Sequence, residues 1–493
     1  MRNNILNWMK LSSFIFALST LFASCSNELD ETLQPASNGI LQFVVSDFPA
    51  FGENLETRAF GTQDPGKTAW EKDDQIIITL TSQKYGTQAA AITYDGTNWG
   101  TEVSLSYLKN ETPTISVIYA PCYEVTEEGV MQLRSGMQPG MTEYLYGYYE
   151  IENGIMTIIF EGSNYDYSRL RIVGAINQTL SVQTTDFIPA GTNEEGNHTY
   201  TLTTDAKGNA YLYGIFAEGA TVTVQNENEG ASSKQYTFTN ETFHGRSYAL
   251  FIGTDVNLTN QTETFVINGN GAYRFSGTSN YGILVESGNP IIYLAEAQIT
   301  VHEGNALDIT STNSTVTIGI ESDLNKGNET KFEAANGAGI FVAAGSTVHI
   351  TSGSLNQYFS LTAIGGNGNP GIGGYFQNGN TPVACGNIKI SNAYLKAYSK
   401  GNGSQGTCSA AIGAAGNGTF GSITIEGAYV HVYRGSEDID YIGSSYSSSG
   451  SSYSGINVGT GGSIIDSWID CYTGENDTEV DQEVYFNENG IAE

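Results

Sequence analysis

The chain contains an internal repeat, and this repeat limits the possible fold more than any other feature. Residues 386–398 read GNIKISNAYLKAY, and residues 421–433 read GSITIEGAYVHVY, in gapless alignment 35 residues further on. A looser copy, GSIIDSWIDCY, occupies residues 462–472. Earlier segments echo the leading part of the repeat, at residues 347–350, 315–318 and 292–294. Repeats of this length are typical of solenoids, in which each unit buries its apolar face against the next.

Each copy alternates apolar and polar residues, which predicts strands with one buried face. Ile388 and Ile390 face one side and Lys389 the other, and Leu395 and Ala397 continue the pattern in the second half. Gly and Asn separate the halves, as tight corners in the left-handed region require. A third short strand is predicted in each unit, at residues 371–373, 411–413 and 441–443. Strand, corner and strand repeated in one direction predict a right-handed parallel β-helix.

The remainder of the chain also favours β-structure. It has 59 Gly and 30 Tyr but only 10 Pro, and long helical periodicities are few, so we expect an all-β protein. The turn signal Asp95-Gly96 between alternating segments predicts a hairpin. The predicted divisions are a signal peptide at 1–24, a tether at 25–38, β-sandwiches at 39–163 and 164–258, and the β-helix at 262–493.

The net charge excludes one class of partner. With 20 Lys and Arg against 52 Asp and Glu, the chain carries a formal charge of −32. Binding to nucleic acid needs a basic face, so no nucleic-acid partner is expected. An acidic surface of this kind mainly favours solubility.

The first residues resemble a bacterial lipoprotein leader. A basic start and an apolar run end at Leu21-Phe-Ala-Ser-Cys25, followed by an acidic segment at 26–31. This pattern resembles a lipobox, although its Leu stands one position earlier than is commonest. The acidic segment resembles the signal that sends Bacteroidetes lipoproteins to the outer face of the outer membrane. We therefore expect Cys25 to carry the lipid, including palmitate; the alternative is an ordinary secretory peptide with an incidental Cys.

The other cysteines fit no metal motif and no disulfide framework. Cys471 aligns with inward positions of the repeat and is expected in the core. Cys385 and Cys408 could pair across adjacent turns, or remain thiols. No metal site and no cofactor are predicted.

Several motifs follow one another in the first half of the chain. They are Thr-Arg-Ala at 57–59, a Trp with an acidic turn and an apolar strand at 70–78, a Tyr and Trp hairpin at 94–99, a strand ending in Ala-Pro at 118–121, and strands at 156–160 and 168–172. In this order they resemble the fimbrillin family of Bacteroidetes surface lipoproteins, over residues 36–257. One departure is that residues 161–164 stand where the family usually has a His.

The resemblance implies two stacked sandwiches in a fimbrial subunit or adhesin, with other fimbrial subunits as partners. It also implies cleavage after Arg58, which leaves Ala59 as the first residue and displaces a strand at 41–45. A partner strand would then pair with the freed sheet edge. The alternative is that Arg58 lies in an exposed loop of a tethered monomer.

Aligning the repeats predicts rows of outward side chains. Three sets fall in register: Tyr394, Tyr429 and Trp468; Tyr398, Tyr433 and Tyr472; Lys396, His431 and Asp470. An exposed aromatic stripe beside polar groups suits the flat faces of sugars, so the six aromatic residues are candidates for ligand or glycan binding. The alternatives are that the rows only stiffen the solenoid by stacking, or that a Gly-rich loop covers them.

The sequence as a whole therefore predicts a non-catalytic surface adhesin, or a fimbrial tip subunit, with a β-helix head. A second hypothesis is a carbohydrate-binding protein of a glycan-uptake system. A polysaccharide lyase or hydrolase is a third, because β-helices host such enzymes. Its candidate acids, Asp438, Asp440, Asp466 and Asp470, form no repeated pair of the kind that glycoside hydrolysis requires.

Overall fold

The structure is a computed structural model of the chain. It describes residues 42–49, 51, 66–83, 86–100, 114–152, 155–162, 165–226, 233–321, 330–352, 360–377, 381–400, 409–435, 440–444, 455–473 and 480–492. The expectations for Cys25, Arg58, Ala59, Cys408 and Asp438 lie outside these ranges. Within them the protein is nearly all-β, as predicted, with 39 strands and a short 3-10 helix at Leu258–Asn260. The described part contains no helix that is long and apolar enough to cross a membrane.

The first compact unit comprises residues 1–48, 69–134 and 145–164. Its main sheet has the order β1-β9-β8-β5-β2-β3-β4, and β6 pairs with β7. The edge strand β1 runs parallel to β9, whereas the other neighbours in the main sheet are antiparallel. The strands are β1 Gln42–Val45, β2 Gln75–Ser82, β3 Gly86–Tyr94, β4 Trp99–Gly100, β5 Thr114–Tyr119, β6 Tyr123–Val125, β7 Met131–Leu133, β8 Leu145–Glu152 and β9 Ile155–Ile159.

A tryptophan organises the packing in this unit. The Trp70 ring lies edge-on to Trp99, Tyr119 and Phe160, with ring centroids 5.0, 5.1 and 5.6 Å away. Its indole N–H donates a hydrogen bond to the carbonyl of Ser46 at 2.7 Å, so the polar end of the ring is also satisfied. The predicted hairpin is confirmed, since Tyr94 on β3 pairs with Trp99 on β4.

The second unit comprises residues 49–68, 135–144 and 165–493. It begins with a sheet of the order β15-β14-β11-β13-β10-β16, and β12 also pairs with β11. Its core includes three phenylalanine rings stacked in sequence, because Phe216 lies 4.4 Å from Phe187 and 4.5 Å from Phe238 between centroids. The strands are β10 Ser168–Val173, β11 Thr179–Pro189, β12 Gly196–Thr203, β13 Asn209–Phe216, β14 Thr221–Asn226, β15 Ser233–Thr237 and β16 Ser247–Phe251.

The rest of this unit, residues 254–486, consists mainly of parallel strands and is called the parallel stack below. Its strands are β17 Thr254–Asn257, β18 Phe265–Asn268, β19 Ala272–Ser279, β20 Ile283–Ser287, β21 Ile291–Val301, β22 Leu307–Ile309, β23 Thr315–Glu321, β24 Thr330–Ala334, β25 Ile340–Val342, β26 Thr347–Thr351, β27 Ser360–Gly365, β28 Ile372–Gly373, β29 Tyr375–Gln377, β30 Thr381–Val383, β31 Asn387–Ser391, β32 Tyr394–Ser399, β33 Ile412–Gly413, β34 Ile423–Glu426, β35 Tyr429–Arg434, β36 Ile442–Gly443, β37 Ser463–Ile465, β38 Ser467–Thr473 and β39 Gln482–Phe486. Parallel pairing starts at β17, before the predicted boundary at residue 262.

Three ladders of parallel strands run through the stack. The first ladder joins β21, β23, β26, β31, β34 and β37. The second ladder joins β21, β24, β27, β32, β35 and β38. The third ladder joins β18, β20, β22, β25, β28, β33 and β36. The strands predicted at 292–294, 315–318, 347–350 and in the three repeats all fall in the first ladder. The predicted third strands of the repeats, β28, β33 and β36, also pair with one another.

The corner between the first two ladders has a left-handed backbone, as the Gly and Asn residues predicted. Asn392, Gly427 and Asp466 occupy this corner in successive units, with φ angles of 48°, 55° and 46°. Glu296 takes the same conformation, with φ 58°, where β21 turns from one ladder into the other. The backbone reversal therefore recurs at one place in the repeat although the residue type varies.

The interior of the stack is apolar and closely packed. The inward side chains of the repeat strands form one continuous cluster and are almost completely buried, as predicted for Ile388, Ile390, Leu395, Ala397, Ile423, Ile425, Val430, Val432 and Cys471. Along the third ladder, Gly373, Gly413 and Gly443 lie in register, with φ angles of 141°, 130° and 121°. A Cβ atom on Gly413 would lie 2.1 Å from the carbonyl oxygen of Gly443, so glycine is required there for adjacent turns to approach.

Candidate functional site

The outward side chains of the last three strands of the second ladder and of the adjoining strand β39 form the candidate site. Successive turns bring them together because the parallel register pairs Tyr394 with Tyr429 and Tyr429 with Trp468. This surface is called the aromatic face and consists of Tyr394, Lys396, Tyr398, Tyr429, His431, Tyr433, Trp468, Asp470, Tyr472, Glu483 and Tyr485. The alternation that sends Leu395 and Val430 into the core sends these side chains to the opposite side.

The aromatic rings of this face stack in two rows. Tyr433 lies between Tyr398 and Tyr472, with ring centroids 4.0 and 4.3 Å apart and interplanar angles of 9° on both sides. Tyr394 and Tyr429 stack at 5.3 Å and 10°. Adjacent strands of a sheet are about 4.8 Å apart, so equivalent side chains fall naturally at stacking distance. Both rows therefore follow directly from the register of the repeat.

The two rows differ in their access to solvent. Trp468 is 41% exposed, whereas Tyr472 is only 7% exposed. Tyr472 is not part of an exposed stripe, because its ring is covered by Tyr433 on one side and contacts the His431 ring at 5.7 Å. The most accessible aromatic ring of the two rows is therefore Trp468.

A polar network lies between the two rows. His431 contacts the hydroxyl of Tyr394 through Nε2 at 2.5 Å and the hydroxyl of Tyr472 through Nδ1 at 3.1 Å. The hydroxyl of Tyr429 donates to Oδ2 of Asp470 at 2.8 Å, and the same oxygen lies 3.4 Å from Nδ1 of His431. The network ties three successive turns together across the outward face.

The ionisation of this network follows from burial. Burial lowers the pKa of His431, although the nearby Asp470 carboxylate opposes the shift, so the ring is neutral near pH 7. In a neutral imidazole one nitrogen donates and the other accepts, so the hydroxyls of Tyr394 and Tyr472 take opposite roles. Burial, together with the hydrogen bond to Asp470, raises the pKa of Tyr429, which stays protonated. Asp470 is therefore buried beside a neutral imidazole and a protonated tyrosine.

Two members of the aromatic face were not found by sequence reasoning. The last strand, β39, runs antiparallel to β38 and brings Tyr485 beside Trp468 and Glu483 beside Asp470. The centroids of Trp468 and Tyr485 are 4.7 Å apart, with an interplanar angle of 34°. Residues 482–486 lie outside the repeat, and the alternation Glu483-Val484-Tyr485 was their only signal.

The other two candidate acids within the described residues, Asp440 and Asp466, lie in different surroundings. Asp440 is buried, and burial raises the pKa of its carboxyl to about 6, with Arg434 opposing the shift. The Arg434 guanidinium lies 4.0 Å from the centre of the Tyr441 ring, and its Nε donates to Oγ1 of Thr473 at 2.9 Å. Asp466 accepts a hydrogen bond from Tyr485 at 3.0 Å. Over the ranges that the structure describes, no three His, Cys, Asp or Glu side chains are grouped to hold a metal ion.

The described cysteines are buried. Cys471 is fully inaccessible, as predicted, and burial raises the pKa of its thiol to about 12. The thiol of Cys385 donates to the carbonyl of Gly386 at 3.3 Å, and burial raises its pKa to about 12 as well. Pairing of Cys385 with Cys408 stays a prediction because Cys408 lies outside the described residues.

Comparison with known proteins gives little similarity. No family model matches the chain, and no curated protein matches it. A structural match is the crystal structure of a fimbrial protein from Bacteroides ovatus, with 11% sequence identity and a TM-score of 0.21. The match covers 44% of this chain and 49% of that one, so it spans about half the length of the neighbour.

Proposed function

We propose that the protein is a cell-surface lipoprotein that acts as an adhesin or fimbrial tip subunit, with the parallel stack as a glycan-binding head. In this interpretation the two sheets that precede the stack belong to fimbrillin-like β-sandwiches, and the stack is a right-handed parallel β-helix. The observation that carries the proposal is the aromatic face, with the rings of Trp468 and Tyr485 side by side at its accessible end.

The chemistry of this face supports binding of sugars. Pyranose rings present flat C–H faces that pack on aromatic rings, while their hydroxyls need hydrogen-bonding groups nearby. Trp468 supplies exposed ring area, and Asp466 and Glu483 supply carboxylates that can accept hydrogen bonds from hydroxyls. The stacked row of Tyr398, Tyr433 and Tyr472 mainly stabilises adjacent turns, which divides the six predicted aromatic residues between two roles.

The anchoring part of the proposal rests on the leader. Lipidation at Cys25 and the acidic segment after it would hold the chain on the outer face of the outer membrane. The mass and N-terminus of the protein from its own host test this part. A chain that starts at a lipidated Cys25 supports anchoring. An unlipidated chain that starts at any residue other than Ala59 contradicts it.

Assembly with other subunits is a further part of the proposal. Among the described strands, β1 is a four-residue edge strand paired with β9, and the side chain of its Val44 is 52% exposed. Cleavage between Arg58 and Ala59 would release β1 together with Ser46 and Phe48, which contact Trp70, and a neighbouring strand could then pair with β9 and replace these contacts. A mature chain that begins at Ala59 supports strand exchange, whereas an intact Arg58–Ala59 bond in assembled material refutes it.

We propose binding rather than catalysis for the head. The carboxylate of Asp470 is engaged by Tyr429, and that of Asp466 is engaged by Tyr485. Incubation with uronic-acid polysaccharides tests this part, because release of unsaturated sugars would overturn it in favour of a lyase. A role beside glycan-uptake machinery would use the same aromatic face.

The experiment that tests glycan binding is an array screen of the full mature chain with two matched variants. Trp468→Ala removes the accessible ring of the aromatic face, and Tyr281→Ala removes an equally exposed aromatic ring, 42% against 41%, elsewhere in the stack. We expect selective binding that Trp468→Ala abolishes and Tyr281→Ala retains. Equal binding by all three proteins, or binding to no glycan, would refute the proposal.

A further inference from the structure

The accessible end of the aromatic face has two adjacent parts with different chemistry. Because β38 and β39 are paired, Trp468 and Tyr485 form one cross-strand pair, and Asp470 and Glu483 form the next pair on the same side. Side chains two residues apart on a strand are separated by about 7 Å. An aromatic platform therefore lies directly beside two carboxylates.

The aromatic pair is held in place by a further contact. The hydroxyl of Tyr485 donates to Oδ1 of Asp466 at 3.0 Å, which fixes the ring against Trp468. A cation over the face of such a ring is attracted by its π-electrons, most strongly for Trp. The carboxylate of Asp466 adds a negative charge at the rim of the platform.

Among the described residues of the aromatic face, no Lys or Arg is in register directly beside the carboxylate pair. Asp470 is 5% exposed, and its Oδ1 accepts no hydrogen bond from any described residue. Its neighbour across the strands is Glu483, and like charges directly opposite each other destabilise a sheet. The cationic member of this column, Lys396, is in register with His431 and is thus two strands away from Asp470. A buried carboxylate oxygen without a donor is costly, so a positive charge held beside it at the exposed Glu483 would be stabilised.

We infer that this end of the aromatic face binds a protonated amino sugar, with the pyranose ring on Trp468 and Tyr485 and the ammonium group at Asp470 and Glu483. The inference rests on the proposed glycan binding and names its substrate class. An amino sugar contacts both parts of the site at once, because its flat pyranose ring covers the aromatic pair while the ammonium group extends from the edge of that ring. The net charge of −32 also attracts cations toward the protein.

The test compares three oligosaccharides of equal length with the full mature chain by calorimetry. They are β-1,4-linked oligomers of glucosamine, of N-acetylglucosamine and of glucose, which differ at the 2-position while the backbone stays the same. We expect the glucosamine oligomer to bind about tenfold more tightly than the other two at low salt, and rising salt to weaken that preference. An oligolysine of similar charge serves as a cation without a sugar ring.

Charge-removing variants locate the effect. Glu483→Gln and Asp470→Asn keep the size of the side chains, and we expect each to remove most of the preference for the amine, so that the charged and neutral oligomers bind with similar affinity. Glu303→Gln removes one charge at an exposed position elsewhere in the stack and should leave the preference intact. A preference that survives both substitutions at the site would overturn the inference.

The outcomes separate the inference from the proposed function. Equal affinity for charged and neutral oligomers would refute selection of the amine and leave glycan binding standing. Tighter binding of oligolysine than of the amino sugar would refute the sugar as the ligand. Absence of binding to all three oligosaccharides, combined with a negative array screen, would refute both.

Discussion

Replacement of Gly413 by Ala should destabilise the parallel stack strongly, and the reason lies in the distance between successive turns. Gly413 has φ 130°, and a Cβ atom there would lie 2.1 Å from the carbonyl oxygen of Gly443 on the next turn. The matched control is Gly461→Ala in the same unit, where φ is 81° and no atom lies within 4 Å of the added carbon. Both changes strain the backbone, but only the first separates two turns.

The expected magnitudes follow from these two terms. A non-glycine residue in a sparsely populated region costs about 1–3 kcal/mol, and this cost applies at both positions. At Gly413 the carbonyl of Gly443 must also move by more than about 1 Å to reach an ordinary contact distance. That movement breaks the hydrogen bond from the Ala414 amide to the same carbonyl, now 2.7 Å, and each such bond contributes about 1 kcal/mol. We expect a loss of about 2–4 kcal/mol at Gly413 and about 1–3 kcal/mol at Gly461, with the Gly413 variant less stable than its control by about 1 kcal/mol or more.

Urea denaturation followed by circular dichroism measures both free energies of unfolding, and hydrogen exchange with mass spectrometry locates the change. Gly413→Ala should speed exchange on both sides of the substitution, at β28 and β36, whereas Gly461→Ala should leave these strands protected. If the two variants lost the same stability, the close approach of successive turns would be wrong, and with it the stacking of the third ladder.

Three further predictions concern the stack. Tyr433→Leu should lower the free energy of unfolding by about 1–2 kcal/mol, because two stacked rings lose their partner, while glycan binding is unchanged; a matching loss of affinity in calorimetry would contradict the structural role. Burial lowers the pKa of His349 to about 4, so the unfolded state takes up a proton at a higher pH than the folded state does. The free energy of unfolding therefore falls as the pH drops from 6.5 toward 4, by about 2 kcal/mol at pH 5. In His349→Gln, the urea midpoints measured above pH 6.5 and at pH 5 should lie closer together than in the unsubstituted protein. An unaltered pH dependence of the midpoint would refute this role of His349. The raised pKa of Asp440 means that its ionised form destabilises the fold. Asp440→Asn should therefore raise the melting temperature above pH 6 and have little effect below pH 4. A lower melting temperature of this variant at pH 8 would contradict the prediction.

Much of the stack could be predicted from the chain because its pattern is local. A strand with one buried face needs apolar residues at every second position, and Ile388, Ile390 and Val430 follow that rule in each copy. The gapless alignment of two copies also predicted the register that places Tyr398 beside Tyr433. These features depend on residues within one repeat and its equivalent in the next.

Other features required the path of the whole chain. The sequence predicted a start of the stack at residue 262, but β17 already pairs with β19, because a short polar strand such as Thr254–Asn257 carries no periodicity. The edge position of β1 and its parallel pairing with β9 bring together segments more than a hundred residues apart. No local pattern encodes such a pairing.

The sequence by itself determined the all-β class, the inward side chains of the repeat, the left-handed corners at Asn392 and Gly427, and the two aromatic rows. Only the tertiary structure decided which part of the aromatic face meets solvent. Tyr472 is covered by its neighbours, and the antiparallel strand β39 adds Tyr485 and Glu483 beside Trp468 and Asp470. The physical reason is that periodicity repeats in every turn, whereas exposure at the last turn depends on a closing strand that does not belong to the repeat.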